Sequence, residues 1–345
     1  MVVTFPVPYL PPPISRLAWG AGPMALSGFL FYQGEANTQN ATTAKEYGCL
    51  FPELITAWRD AFKHPDLFFG FVQLSTWCAL PVDSLPQMRS AQMDAMALRN
   101  VGYATNADHG AGCNIHPPEK QWVASRLANA ARALVYGEDI QWKSPSYQSA
   151  TPSIATVPAI APDAAAAAAA VAGAGSKGGK AVGLAVRLSD VGGGGLVSRY
   201  PYNLRGSYNV DQPNISRQIV DCGASFPVNA TANASMSLQC AWAALEVEGF
   251  GWLNASITLP AEQAHTRVAG ASDAAVYLSA TLPGRGRLDP RHTSTGAGTA
   301  RGSSSALAPP LPKVLGSAYG WGSIPLLSLY DKITDLPVLP WNKSL

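Results

Sequence analysis

Charged side chains are scarce, 13% of the 345 residues, and the net charge is only +2. So weak a field offers little to a nucleic-acid backbone or an anionic membrane, and no nucleic-acid partner is expected. The five cysteines (Cys49, Cys78, Cys113, Cys222 and Cys240) contain no CxxC pair, which excludes zinc-ribbon and thioredoxin patterns. Long apolar runs are also missing. The best candidate, residues 159–174, is dominated by Ala and Gly and is too weakly apolar to span a bilayer. Residues 1–14 are Pro-rich and lack the charged start of a secretory leader. A hydrophobic content of 47% nevertheless suits a folded chain and argues against disorder. The length allows two domains with a sizeable core.

What is present is patterned. SGFLFYQ (27–33), LFFGFVQL (67–74) and VGYAT (101–105) are short apolar runs, the signature of strands buried on both faces. Helical spacing separates them. FPELITAWRDAF (51–62) places Leu54, Ile55, Trp58 and Phe62 on one side, with Pro52 suited to a first turn. Residues 85–98 read as a helix with Met88, Met93, Met96 and Ala97 as core positions. Pro117 and Pro118 are expected to open a helix running to Tyr136, with Trp122, Val123, Leu127, Ala131, Leu134 and Val135 on one face and Gly137 as the cap. This alternation predicts an α/β fold built on a parallel sheet. In such sheets chemistry sits at the carboxyl ends of strands. Both GEAN (34–37) and NADHGAGCNIHPPEK (106–120) fall there.

The character changes near residue 141. We expect a hydrolase-type domain over 1–140, a linker with an Ala/Gly-rich low-complexity insertion over 141–196, and a β-rich region over 197–345 interrupted by a disordered insertion at 284–312. The stretch 151–195 needs no structure on this reading. Its GAGSKGGK is not a P-loop, because Ala181 follows the lysine where Ser or Thr is required. SITL, AVYLSATL, SMSLQCAWAALEVEG, VLGSAYGW and PLLSLYDK read as strands of an accessory domain. Six N-x-[ST] sequons, at Asn40, Asn214, Asn229, Asn233, Asn254 and Asn342, point to a secreted or lumenal (lysosomal or extracellular) glycoprotein. There Cys222 and Cys240 either pair or stay as small buried side chains.

The loop 106–120 concentrates reactive groups: Asp108, His109, Cys113 and His116. An imidazole titrates near neutrality, so His116 suits a general base, and Asp108 is the nearest acid in sequence to orient it. The plain alternative is a histidine that only bonds backbone carbonyls in a turn. His109, Cys113 and His116 fit no common zinc spacing and no fourth ligand is evident, so neither a metal nor another cofactor is expected.

Several blocks resemble the sialate O-acetylesterase family of the SGNH (GDSL-like) hydrolases. FLFYQGEANT (29–38) is similar to that family's WYQGESN block, and YGCLFPELITAWRDAF (47–62) to its CLFPALIxDWR helix. FFGFVQL (68–74) and LPQMR (85–89) resemble the next strand and an Arg-bearing helix start. NADHGAGCNIHPPEKQWVASRLANAARALVYG (106–137) is similar to the DxGxxxxIHPxxKxxVxxRLAxxAxxxxYG block, and SAYGWGSIPLLSLYDKITDLPVLPWN (317–342) to the family's ending. The resemblance implies a partial three-layer, flavodoxin-like SGNH fold and an esterase that removes acetyl groups from the hydroxyls of a sugar or glycan. His116 would be the base of a serine acyl-enzyme mechanism, with Asp108 as the orienting acid. Gln33, Gly34 and Asn37 would be oxyanion or substrate contacts, and Glu35 would brace the turn. Asn37 alternatively only caps that turn.

There are departures. Asn114 stands two residues before the histidine, where the family often has an acid. The family's serine lies in a GQSNM-like block upstream of YQGE, and the thirty-one residues before Tyr32 contain neither GQSN nor GDS. Ser15 and Ser27 lack the required glycine-rich turn. Two expectations follow: a sequence that starts late in its gene, or a carbohydrate-binding pseudoenzyme.

Overall fold

The computed structural model describes residues 26–77, 81, 83–112, 114–153, 181–199, 201–202, 240–259, 272–283 and 311–345. Strands β1 (Gly28–Phe31), β2 (Phe68–Gln73) and β3 (Val101–Thr105) pair in parallel in the order β1-β2-β3. All residues of β2 and β3 are buried, as their mostly apolar composition favours. Helices α1 (Ala41–Ala61) and α2 (Ser84–Gln92) cover one face. There Tyr47, Phe51, Ile55 and Trp58 of α1, with Leu85 and Met88 of α2, pack on Phe31, Phe69, Phe71 and Tyr103. Helix α3 (Gln121–Tyr136) covers the other, through Val123 and Leu127 against Val72 and Ala104. The approach is close: a Cβ at Gly102 would stand 3.0 Å from that of Ala130. The layers are those of a three-layer α/β fold.

Local differences from the expected elements have local causes. Helix α1 starts ten residues before the expected point because Asn40 caps it, its Oδ1 accepting from the Thr43 amide at 2.8 Å. Pro52 therefore sits inside the helix, not in its first turn. The methionine-bearing helix tightens into a 3-10 turn at Met93–Ala97. Pro117 and Pro118 precede α3 and do not open it; a residue followed by proline is driven out of helical conformation. The buried face of α3 is Val123, Arg126, Leu127 and Ala130, while Trp122 and Val135 each keep 42% of their surface in solvent.

Two antiparallel sheets share a second core. Strands β4 (Ser146–Ser153), β5 (Ala181–Val191), β10 (Ser256–Thr258) and β11 (Ser272–Thr281) run in the order β10-β11-β5-β4. Strands β8 (Ala243–Val247), β9 (Gly251–Asn254), β12 (Val314–Tyr319) and β15 (Trp341–Ser344) run β15-β12-β8-β9. Leu184, Val186, Leu188, Val276 and Leu278 of the first sheet share one cluster with Leu245, Val247, Tyr319 and Trp341 of the second. Short pairs complete the region: β6 (Leu196–Ser198) with β14 (Leu329–Asp331), and β7 (Cys240–Ala241) with β13 (Ile324–Pro325).

The expected structureless stretch 151–195 needs correction at both ends. Thr151, Pro152 and Ser153 end β4, and β5 is a central strand whose Leu184, Val186 and Leu188 are fully buried. The Ala and Gly content there hides a period-two pattern with every second residue inward. The linker expected over 141–196 thus supplies two strands. Residues 154–180 and 284–310, which carry most of the low-complexity sequence, lie outside the described residues, as does the Cys222–Cys240 pairing. Among the described residues no helix is long and apolar enough to cross a membrane.

Candidate active site

The first loop leaves the carboxyl end of β1. Gly34 has φ 141°, a backbone conformation that L side chains rarely adopt, so the backbone demands glycine; a Cβ there would meet the flexible end of Met88. A 3-10 turn follows at Glu35–Gln39. Gln33 is buried; its Oε1 accepts from the Tyr47 hydroxyl at 2.9 Å and its Nε2 donates to Asn37 Oδ1 at 3.5 Å. The Asn37 amide donates to the Gly34 carbonyl at 3.0 Å, and its own carbonyl accepts from Thr43 Oγ1 at 2.8 Å. Asn37 Nδ2 has no acceptor among the described residues, so it is the turn's available side-chain donor.

The second loop leaves the carboxyl end of β3. Asp108 is 1% exposed and meets Arg126 of α3 through two parallel bonds, Nη1 to Oδ1 at 2.7 Å and Nη2 to Oδ2 at 2.8 Å. Burial pushes the carboxyl pKa up, but the charge and hydrogen bonds of Arg126 outweigh it and hold the group below the usual aspartate range. Arg126 also donates to the Thr105 carbonyl at 2.9 Å, and the Tyr330 hydroxyl reaches Asp108 Oδ2 at 3.4 Å. His109 is buried in an aromatic stack, its ring centroid 4.5 Å from Trp122 and 4.3 Å from Tyr202. Burial lowers its pKa against the pull of Asp108, 3.5 Å away, and so favours the neutral ring.

His116 is exposed. Its backbone amide donates to Asn114 Oδ1 at 3.0 Å, so the residue standing where the family often has an acid shapes the turn that presents the histidine. Its imidazole has no hydrogen-bond partner among the described residues. The direct Asp108–His116 contact expected from the sequence is not formed. The physical reason is Arg126, which returns beneath the loop on the buried face of α3 and takes both carboxylate oxygens.

The two loops meet at Tyr32. Asn106 Nδ2 donates to its hydroxyl at 3.3 Å, and Lys120 Nζ lies 5.5 Å from its ring centroid while donating to the Pro117 carbonyl. Burial lowers the Lys120 pKa and Glu35 opposes that shift, which places the lysine in the field of the first loop. Behind them Arg89 is fully buried. It donates to the carbonyls of Leu74, Ser75 and Gly322, each at 2.8 Å, and of Ser323 at 3.1 Å. Among the described residues no three His, Cys, Asp or Glu side chains group as metal ligands, and Cys113 lies outside them.

Residues 14–133 match a family described as carbohydrate esterase, sialic acid-specific acetylesterase. Over those residues the chain is similar to the sialate O-acetylesterase family. Sialate O-acetylesterases from Homo sapiens and Pongo abelii are 36% identical over 140 residues, which cover 33% of this chain and 25% of each relative. The enzyme from Mus musculus is 36% identical over 134 residues. The chain thus spans about a quarter of the length of the curated relatives it matches. A crystal structure of a carbohydrate acetylesterase from Xanthomonas citri aligns with 93% of this chain and 51% of its own, at a TM-score of 0.54 and 18% identity. That likeness extends the shared fold through the β region. Within the family segment, sequence reasoning named Gln33, Gly34, Glu35, Asn37, Asp108 and His116 but gave no role to Tyr32, Asn106, Lys120 or Arg126. The signal for Arg126 was available: an arginine at helical spacing between Val123, Leu127 and Ala130 requires a buried partner.

Proposed function

We propose that this chain belongs to a carbohydrate O-acetylesterase that hydrolyses acetyl esters on sugar hydroxyls, sialic acids foremost. One observation carries the reading: two polar loops leave the carboxyl ends of parallel strands and are tied together at Tyr32, one presenting an exposed histidine and the other an unpaired amide donor. His116 takes the proton of the attacking hydroxyl, first of a serine and then of water, and returns it to the leaving sugar oxygen. The Gly34 amide and Asn37 Nδ2 stabilise the tetrahedral oxyanion. Gln33 and Glu35 hold the turn that carries these donors. Asp108 is a positioning residue: through Arg126 it anchors the base of the loop from which His116 projects. The sequons, of which Asn40, Asn254 and Asn342 are exposed, support a secreted or lumenal glycoprotein.

A second reading is a sugar-binding protein without turnover. Hydrolysis of an aryl acetate, with labelling by a fluorophosphonate serine probe, separates the two. For protein isolated from its native source, the esterase reading expects labelling and turnover; in an expressed form that carries the serine block, turnover falls by several orders of magnitude in His116→Ala. Retained binding of an O-acetylated glycan without labelling or hydrolysis supports the binder; turnover that survives His116→Ala means another base.

A further inference from the structure

The sheet β15-β12-β8-β9 buries one face and exposes the other. On β9 the outward positions are Trp252 and Asn254, both exposed, while Leu253 between them is partly buried and packs on the core. Trp252 leaves 47% of its surface in solvent on an edge strand, where a large apolar side chain is a liability for association. Its cross-strand neighbour is Glu246. That carboxylate leans the other way, since a Cβ added at Gly316 on β12 would stand 3.1 Å from Glu246 Oε2. The next row across the sheet is Asn254, Ala244, Ala318 and Asn342, so small methyl groups floor the space beside Asn254.

Asn254-Ala255-Ser256 is a sequon. Residues i and i+2 of a strand point the same way and stand about 7 Å apart. A sugar joined to Asn254 Nδ2 therefore leaves the sheet beside the indole. A pyranose ring has an apolar C–H face of matching size, and the indole offers a π-face to receive it. One arrangement accounts for both the uncovered tryptophan and the sequon beside it.

We propose that Asn254 carries an N-linked glycan whose first sugar packs on the exposed indole of Trp252. The inference rests on the secretory reading above. The co-reactant is a lipid-diphosphate-linked oligosaccharide. The Asn254 amide nitrogen forms a bond to C1 of its first sugar as the C1–O(phosphate) bond breaks. The lipid diphosphate leaves with that electron pair, and the amide proton is lost to a base of the transferase. Two other exposed sequons are internal controls. Asn40 caps a helix through Oδ1, and Asn342 faces Ala318 across its strand pair.

The test expresses the full chain behind a secretion leader in a eukaryotic host, with glycopeptide mass spectrometry and thermal unfolding. Asn254 is expected to be occupied. Asn254→Gln lowers Tm by about 2–4 °C when Trp252 is present and leaves it unchanged in a Trp252→Ala background. Trimming the glycan to its first sugar preserves Tm, and Asn342→Gln does not move it. An unmodified Asn254, or an Asn254→Gln shift of equal size in both backgrounds, overturns the proposal. Because the leader forces entry to the pathway, such failure is distinct from failure of the secretory reading, which glycan occupancy in protein from its native source decides.

Discussion

At the residue scale the most constrained group is Asp108. Its two oxygens bind Arg126 and both partners are buried, so removing one leaves the other as an uncompensated interior charge. Asp108→Ala is expected to cost about 3–5 kcal/mol, read as a fall in denaturant midpoint at unchanged m-value. Replacing both partners by apolar residues of similar volume should recover most of that loss. His116 behaves oppositely. It is exposed and its ring is unbonded among the described residues, so His116→Ala should alter stability by no more than about 0.5 kcal/mol while removing the proposed base. A large drop in stability in that variant would show that the histidine supports the loop instead.

The sign of the acid response follows from the same residues. His109 has a pKa lowered by burial from its ordinary 6.5. The unfolded chain therefore binds a proton first as pH falls, and the stability that the neutral ring contributes above 6.5 is lost below it. Asp108, with its pKa held down, adds stability above the ordinary carboxyl value of 3.8, and that part is lost as pH falls through the folded value. Unfolding free energy measured from pH 7 to 5 should decline, and His109→Phe, which keeps an aromatic ring between Trp122 and Tyr202, should flatten that decline. An unchanged slope would assign it to another group.

At the scale of elements, the two loops depend on how closely helices ride on the sheet. The turn after β1 needs the positive φ of Gly34, which lies against the flexible end of Met88. Gly34→Ala should destabilise by roughly the 1–3 kcal/mol of backbone strain, read as a fall in denaturant midpoint; an unchanged midpoint would mean the turn tolerates a side chain. The turn was legible in the sequence as a glycine after an apolar strand. The crowding was not, since Met88 is distant in sequence and only the packing of α2 brings it there.

For the whole molecule, Arg89 joins the two regions. It gives its donors to the loop after β2 and to Gly322 and Ser323 near the end of the chain. Burial pushes its pKa down to about 9 against a smaller opposing pull from Tyr32, and among the described residues four backbone carbonyls hold the guanidinium. Arg89→Met should loosen the tail before it unfolds the sheet, seen as faster amide exchange across 317–325 with β2 still protected. Arg89→Lys should not restore protection, because an ammonium cannot span four carbonyls with the geometry of a planar fork.

Sequence by itself determined the parallel sheet, the helices that flank it and the loops at its carboxyl edge. Those features rest on local periodicity and on apolar runs, which each segment carries within itself. The YQGE and IHPPEK blocks likewise sufficed to indicate the family that residues 14–133 resemble. Tertiary structure alone decided that Asp108 serves Arg126 and not His116, that His109 is sealed between Trp122 and Tyr202, and that residues 181–191 are a central strand. The pairing partners in these cases lie on different elements, and a carboxylate goes to whichever cation the packing delivers nearest. No spacing along the chain encodes that choice.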